Sequence, residues 1–325
     1  MHVELVVPGL FAAGAEVRAP SLERLLARGR RQTAAAKTPE EWLRDAFKLD
    51  ARLPAGALTL LAAGGDPSSG FWLRADPVHL HLVGDRVAIV AAEEFDVERA
   101  QAEALCEALN RHFEGVMEVR LFDARRWVAR LLQGEPELDE HPALNASGRR
   151  VTLGGGGERE ATEIQMVLHA QPVNEAREAR GEPTINGLWL WGAGRVPAPP
   201  LVPWQSLSAD EPIALGLARL AGLRHRTLPA TANAWLDRAP EEGRHLIVLD
   251  RLRIPASLSR ADEVSAAVEA LERDWFAPLL AGLRDGRIGM LTLHILHGAG
   301  VDSFETVRGD LRRFWRRTKA LESYA

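Results

Sequence analysis

Apolar residues along this chain gather into short runs separated by longer amphipathic stretches. The run Val3-Glu4-Leu5-Val6-Val7 halts at Pro8-Gly9, which predicts a strand buried in a mainly parallel sheet. A helix is predicted from Ser21, read as its N-cap, with Arg24, Leu25 and Leu26 continuing the pattern, and a second from Pro39 to Phe47. Asp76 to Leu82 and Arg86 to Ala91 flank Val83-Gly84-Asp85, a turn of the kind that closes a hairpin. Phe95 to Phe113 carries helical periodicity, and Met117 to Phe122 is expected to return as a strand. From Ala161 onward the elements alternate: a helix to Arg180, strand Gly187 to Trp191, helix Ile213 to Ala221, strand His245 to Leu249, helix Ser259 to Leu283, strand Ile288 to His294 and a closing helix from Ser303. Such alternation predicts an α/β sandwich around a central, mainly parallel sheet.

The hairpin, helix and strand in the first half form a set that can pack on its own. They predict a smaller inserted α+β domain over residues 76–161, leaving 1–75 and 162–325 for the α/β core. The insertion ends near the run Gly154 to Gly157. Without a Gly-Lys-Ser sequence or a strand-loop-helix context, that run predicts a hinge or loop tip rather than a phosphate cradle.

Composition narrows the class without naming a function. The 325 residues are 46% hydrophobic and 26% charged, as in an ordinary globular protein. A net charge of -5 gives no general attraction to nucleic acid or to an anionic membrane. The basic residues Arg308, Arg312, Arg313, Arg316, Arg317 and Lys319 are expected on one helix, as a solvated face. Cys106 is the single cysteine, which excludes an intrachain disulfide, fits a reducing compartment and predicts a core thiol. With neither a basic leader nor an apolar run of membrane-spanning length in view, the expected location is cytoplasmic.

Several polar residues stand out. His79 and His81, two apart on a strand, face one side, but with no third ligand they predict a pair of half-exposed histidines. His294 and His297 flank a strand end, the edge where α/β folds place ligands; together with Asp250 they are candidates for a residual polar site. Trp189 and Trp191 alternate with leucines and are expected to anchor a core.

Four stretches together carry a family resemblance. They are Ala19-Pro20-Ser21-Leu22-Glu23-Arg24-Leu25, the turn Gly64-Gly65-Asp66-Pro67, Arg74 within Trp72-Leu73-Arg74-Ala75-Asp76, and Trp189-Leu190-Trp191-Gly192 preceded by Asn174 and Arg177. In this order they resemble the archaeal-type cofactor-independent phosphoglycerate mutases of the alkaline phosphatase superfamily, and among bacterial sequences the RpfE-type regulatory proteins. The resemblance implies an alkaline-phosphatase-like sandwich. It also implies that the chemistry is lost: Pro8 stands where a metal-binding Asp is expected, Ala55, Gly56 and Ala57 where the phosphorylated Ser is expected, and Arg251 and Ile254 among the later ligand positions. Thr59, the nearest hydroxyl, lies in an apolar run with no flanking base.

No catalytic residue, metal or cofactor is therefore expected. The implied role is binding or regulation, with a small phosphorylated or carboxylate ligand or a protein partner. The alternative is an active metal-dependent mutase or phosphohydrolase with a rearranged site. By the same resemblance Arg74, Asn174, Arg177, Arg180 and Asn186 would line an anion pocket, since guanidinium groups suit phosphate and carboxylate. Surface ion pairs of Arg177 and Arg180 with Glu175 and Glu178 account for those arginines equally well.

Overall fold

The computed structural model describes residues 1–11, 17–49, 52–84, 86–136, 138, 141–147, 150–151, 158–239 and 242–324. Asp85 of the expected turn and the run Gly154 to Gly157 lie outside these residues. The chain divides into two compact units, Met1–Lys48 with Pro200–Ala325, and Leu49–Pro199. The expected insertion, 76–161, falls wholly inside the second of these. That unit is wider because the strand entering at Phe71 pairs with the strand at Gly187–Gly194 and so carries the flanking segments with it.

The strands, in chain order, are β1 (His2–Pro8), β2 (Arg30–Ala34), β3 (Phe71–Val83), β4 (Arg86–Ala91), β5 (Met117–Leu121), β6 (Trp127–Leu131) and β7 (Arg150–Val151). They continue with β8 (Gly187–Gly194), β9 (Ser206–Ser208), β10 (Arg224–Arg226), β11 (Arg244–Val248), β12 (Met290–His297) and β13 (Gly300–Val307). In the first unit they form a seven-stranded sheet ordered β10-β9-β11-β1-β12-β13-β2. β1 runs parallel to both β11 and β12, so the Val3 and His245 segments share one sheet as expected. β13 alone runs opposite in direction to the other strands of this sheet, antiparallel to both β12 and β2. The mainly parallel α/β sandwich expected from the alternation is the architecture present.

Alternation along β1 decides which face is core. Val3, Leu5 and Val7 join Leu291, Leu293 and Ile295 in one cluster, packed by Leu22 and Leu25 of helix Pro20–Arg28 and by Val264, Val268 and Leu271 of helix Ala261–Leu271. Each fully buried aliphatic chain stabilises by roughly 1.5–3 kcal/mol. Glu4, out of phase with them, faces the other side.

Three expectations are corrected. Helix Pro20–Arg28 is not capped by Ser21: Pro20 takes the first helical position, and the Glu272 carboxylate accepts hydrogen bonds from the Ser21 and Leu22 amides at 2.7 and 3.1 Å. The helix expected from Ala161 to Arg180 is two, Glu158–His169 and Pro172–Ala179, because a proline inside a helix removes a donor and clashes with the preceding turn. The closing helix from Ser303 is instead strand β13, whose Asp302, Phe304 and Thr306 are buried while Ser303, Glu305 and Val307 are less so, a period of two. Consequently Arg308 and Arg312 sit in a short 3₁₀ turn, with Arg313, Arg316, Arg317 and Lys319 beyond it, rather than on one helix.

The second unit is built on antiparallel strands ordered β5-β6-β3-β4-β7, with β8 also on β3. Helix Arg99–His112 covers it, burying Leu105, Cys106 and Leu109 against Val119, Trp127 and Ile164. Cys106 is a core thiol: burial pushes it up to about 11, and its Sγ lies 3.1 Å from the Val119 carbonyl. Among the described residues no helix is long and apolar enough to cross a membrane.

Candidate functional site

In the first unit the parallel strands β9, β11 and β1 all end on one edge, where open α/β sheets hold their ligands. Pro8 closes β1, and Gly9 follows with φ 79°. A Cβ added at Gly9 would lie 2.7 Å from the Ala256 Cβ and 3.1 Å from the Leu252 carbonyl. The segment after β11 is thus packed directly against the end of β1. From that segment, helix Arg253–Ser257, the Arg253 guanidinium reaches Glu40 at 2.5 Å.

Glu40 belongs to helix Pro39–Ala46, whose start is fixed by a capping box between Thr38 and Glu41. The second anion facing Arg253 is Glu211, which follows β9 and caps helix Pro212–Leu220 through the Ala214 amide at 2.8 Å. Burial alone would depress the Arg253 guanidinium, but the charges of Glu40, Glu211 and Asp250 outweigh it and leave it raised. Burial raises the Glu211 carboxyl despite its amide bond and the nearby Arg253.

Asp250, at this edge, is among the charges facing Arg253. His294 and His297, on β12, are each engaged. His294 Nδ1 lies 2.8 Å from the Ser303 hydroxyl. His297 Nε2 lies 3.0 Å from Asp302, a buried carboxylate that also receives Arg31 and Thr33. Among the described residues, no group of three or more His, Cys, Asp or Glu could hold a metal ion.

Sequence reasoning missed the neighbour of His294. Glu4 is 2% exposed in the middle of β1. It takes the Arg244 guanidinium and the Trp204 indole N–H, the latter at 3.1 Å, with His294 Nε2 at 3.6 Å and His2 Nε2 at 3.9 Å. Burial would raise its carboxyl, yet His294 and Arg244 outweigh it and hold it down to about 2. The signal was present: a lone acid inside an apolar run has to find a cation.

A depressed carboxylate stabilises fully above its ordinary pKa, 4.5, and loses that contribution as pH falls through its folded value, about 2. Glu4→Gln is therefore expected to cost roughly 3 kcal/mol at neutral pH. Urea melts should show wild type and variant converging between pH 4.5 and about 2; a constant gap across that window would refute the assignment.

In the second unit, Ala55, Gly56 and Ala57 open helix Ala55–Ala62 and are buried. A Cβ at Gly56 would fall 2.3 Å from backbone atoms of Leu73. Thr59 is wholly buried, with Arg74 Nη1 3.5 Å from its hydroxyl. Arg74 itself pairs with Asp76 at 2.6 Å and lies over the Trp191 ring, while the Trp191 indole donates to the other Asp76 oxygen at 2.7 Å.

The remaining anion candidates gather around helix Pro172–Ala179. The Asn174 side chain bonds the carbonyls of Leu168 and Ile185 and the Ile185 amide. Buried Arg177 donates to the Pro183 and Asp96 carbonyls and to Gln101. Arg180 pairs with Glu182 rather than Glu178, and Asn186 bonds both backbone groups of Leu80. Among the described residues Arg74 and Arg177 have no partner in common, and their donors go largely to the chain's own atoms. His79 and His81 stack at 5.6 Å, with His79 bonded to the Thr184 carbonyl.

Fold and edge together define an α/β protein with a mainly parallel sheet and a second, antiparallel unit. No family model matches the chain, and no curated protein sequence matches it. Among solved structures it is similar to the PH0037 protein from Pyrococcus horikoshii, with a TM-score of 0.57 and 14% identity over 94% of this chain and 87% of that one. A cofactor-independent phosphoglycerate mutase from Thermoplasma acidophilum DSM 1728 aligns with a TM-score of 0.47 and 15% identity over 100% of this chain and 94% of that one. The first of these likenesses is one of fold.

Proposed function

We propose that this chain is a phosphoglycerate-mutase-like protein in which the metal centre and serine nucleophile have been replaced, leaving a binding or regulatory role. The observation that carries the reading is Arg253. At the carboxyl edge of the sheet, a guanidinium from the chain itself faces the Glu40 and Glu211 carboxylates, so the positive charge there is built in. Pro8 offers no donor atom, and the Leu252 carbonyl and Ala256 methyl fill the space beside Gly9. A two-metal centre needs several free carboxylates and imidazoles around open positions. This donor set does not fit one.

The ligand class that suits the reading is a small phosphorylated or carboxylate molecule, or else a partner protein. Protein purified without chelator is expected to carry no stoichiometric Mn, Zn or Mg and to interconvert no phosphoglycerates. Elemental analysis finding about two metals per chain, together with turnover, would support instead an active enzyme with a rearranged site.

A further inference from the structure

The polar face of the first unit's sheet bears a cavity of about 570 Å³ whose lining does not include Arg253. Its floor is Glu4, Arg244 and His294. Residues paired across the sheet share a face, and the register His2 to Arg244, Glu4 to Thr292 and Val6 to His294 puts these side chains together. One wall is Trp42 of helix Pro39–Ala46, tilted against the His294 ring at 5.3 Å. The other is the segment Leu201 to Trp204, whose Leu201 is 90% exposed and whose Trp204 packs on Phe47. Lys37, Asp45 and Lys48 complete the lining.

Charge bookkeeping decides what such a cavity can hold. Both of its carboxylates are already engaged: Glu4 by Arg244 and Trp204, Asp45 by Lys37 at 2.7 Å and Arg44 at 3.0 Å. The cations are less committed. Among the described residues the exposed Lys48 ammonium has no ion-pair partner, and Arg244 meets Glu4 through Nε, which leaves its terminal N–H groups for another acceptor. His294 Nε2 is buried without a hydrogen bond. A cation entering here would meet carboxylates that already hold cations, whereas an anion would meet the ammonium of Lys48 and the terminal N–H groups of Arg244. A wholly polar ligand would leave the exposed leucine and the tryptophan wall unmatched.

We infer that this cavity binds a small organic anion, its carboxylate or phosphate group held by Lys48 and Arg244 and its flat apolar body laid against Trp42 and Leu201. Arg supplies a planar fork of donors to such a group and Lys a mobile point charge. Of its lining only His294 is also among the candidates at the strand ends; Lys48, Arg244, Trp42 and Leu201, which hold the anion, lie outside that group, so the site can be tested apart from the reading above.

The test is calorimetric titration of the full-length protein, in EDTA, with benzoate, phenyl phosphate, benzamide and benzylammonium. Either anion is expected to bind saturably with one site and a Kd of roughly 0.1–1 mM, and the neutral and cationic probes about tenfold more weakly or not at all. Lys48→Glu should weaken the anions about tenfold without lowering the melting temperature, since Lys48 is exposed. Trp42→Leu should weaken benzoate and phenyl phosphate alike. No saturable binding of either anion up to about 10 mM, equal binding of benzylammonium, or anion binding unchanged in Lys48→Glu would each overturn the inference. Because EDTA strips metal, failure here leaves the metal analysis untouched, and metal found there leaves this site standing.

Discussion

Gly56→Ser should destabilise the second unit by at least about 3 kcal/mol, the upper end of the usual cost of overpacking. The reason is the nature of the obstacle. An added Cβ would sit 2.3 to 2.4 Å from N, Cα and C of Leu73, which are strand backbone and cannot rotate aside as a side chain could. Leu73 is held on both sides, by Ala129 of β6 and by the β3–β8 ladder around it. Relief would require helix Ala55–Ala62 to shift and open the contact that buries Leu58 and Leu60. A hydroxyl placed at this position would thus cost fold. Equilibrium urea unfolding of Gly56→Ser and Gly56→Ala checks this. A variant within about 0.5 kcal/mol of wild type, the range of an inconsequential surface change, would show that the helix can yield.

Arg253→Met is the other change expected to be severe, at about 3–5 kcal/mol, the range for stripping one partner from a buried ion pair. Methionine keeps the apolar stem but leaves Glu40 and Glu211 facing each other without their cation. Glu40, 4% exposed, already has one oxygen without a hydrogen bond.

The sign of the pH dependence is distinctive. Burial raises the Glu211 carboxyl, so its folded state holds a proton more tightly than the unfolded chain, and stability falls as pH rises from the ordinary value, 4.5, through the folded one. Removing Arg253 deletes an influence that lowers this carboxyl, and the slope above pH 4.5 should steepen. The variant is expected to be weakest at alkaline pH and to recover as pH drops toward 4.5. A pH-independent deficit would mean that the loss is one of packing, and Arg253→Lys, which keeps the charge, should then be as damaging as the methionine.

Much of the architecture was legible because local periodicity reports burial directly. Val3 to Val7 and His245 to Leu249 could be assigned to one parallel sheet from their apolar runs and the helices between them. Cys106 could be placed in a core from its helical neighbours. Where expectation failed, local preference competed with context. Pro172 was passed over inside a helical pattern, and the period of two in Asp302, Phe304 and Thr306 was hidden because a polar residue, Asp302, occupies a buried position that Arg31 and Thr33 of another strand, with His297, make tenable.

The sequence by itself therefore determined most elements of the parallel sheet and its apolar face. Tertiary structure alone decided how the charges pair. Glu40 and Arg253 stand 213 residues apart, and Glu4 and Arg244 stand 240 apart. The physical reason is that apolar burial is written into the spacing of neighbours along one element, whereas a buried charge is tolerated only through a partner that the path of the chain brings to it.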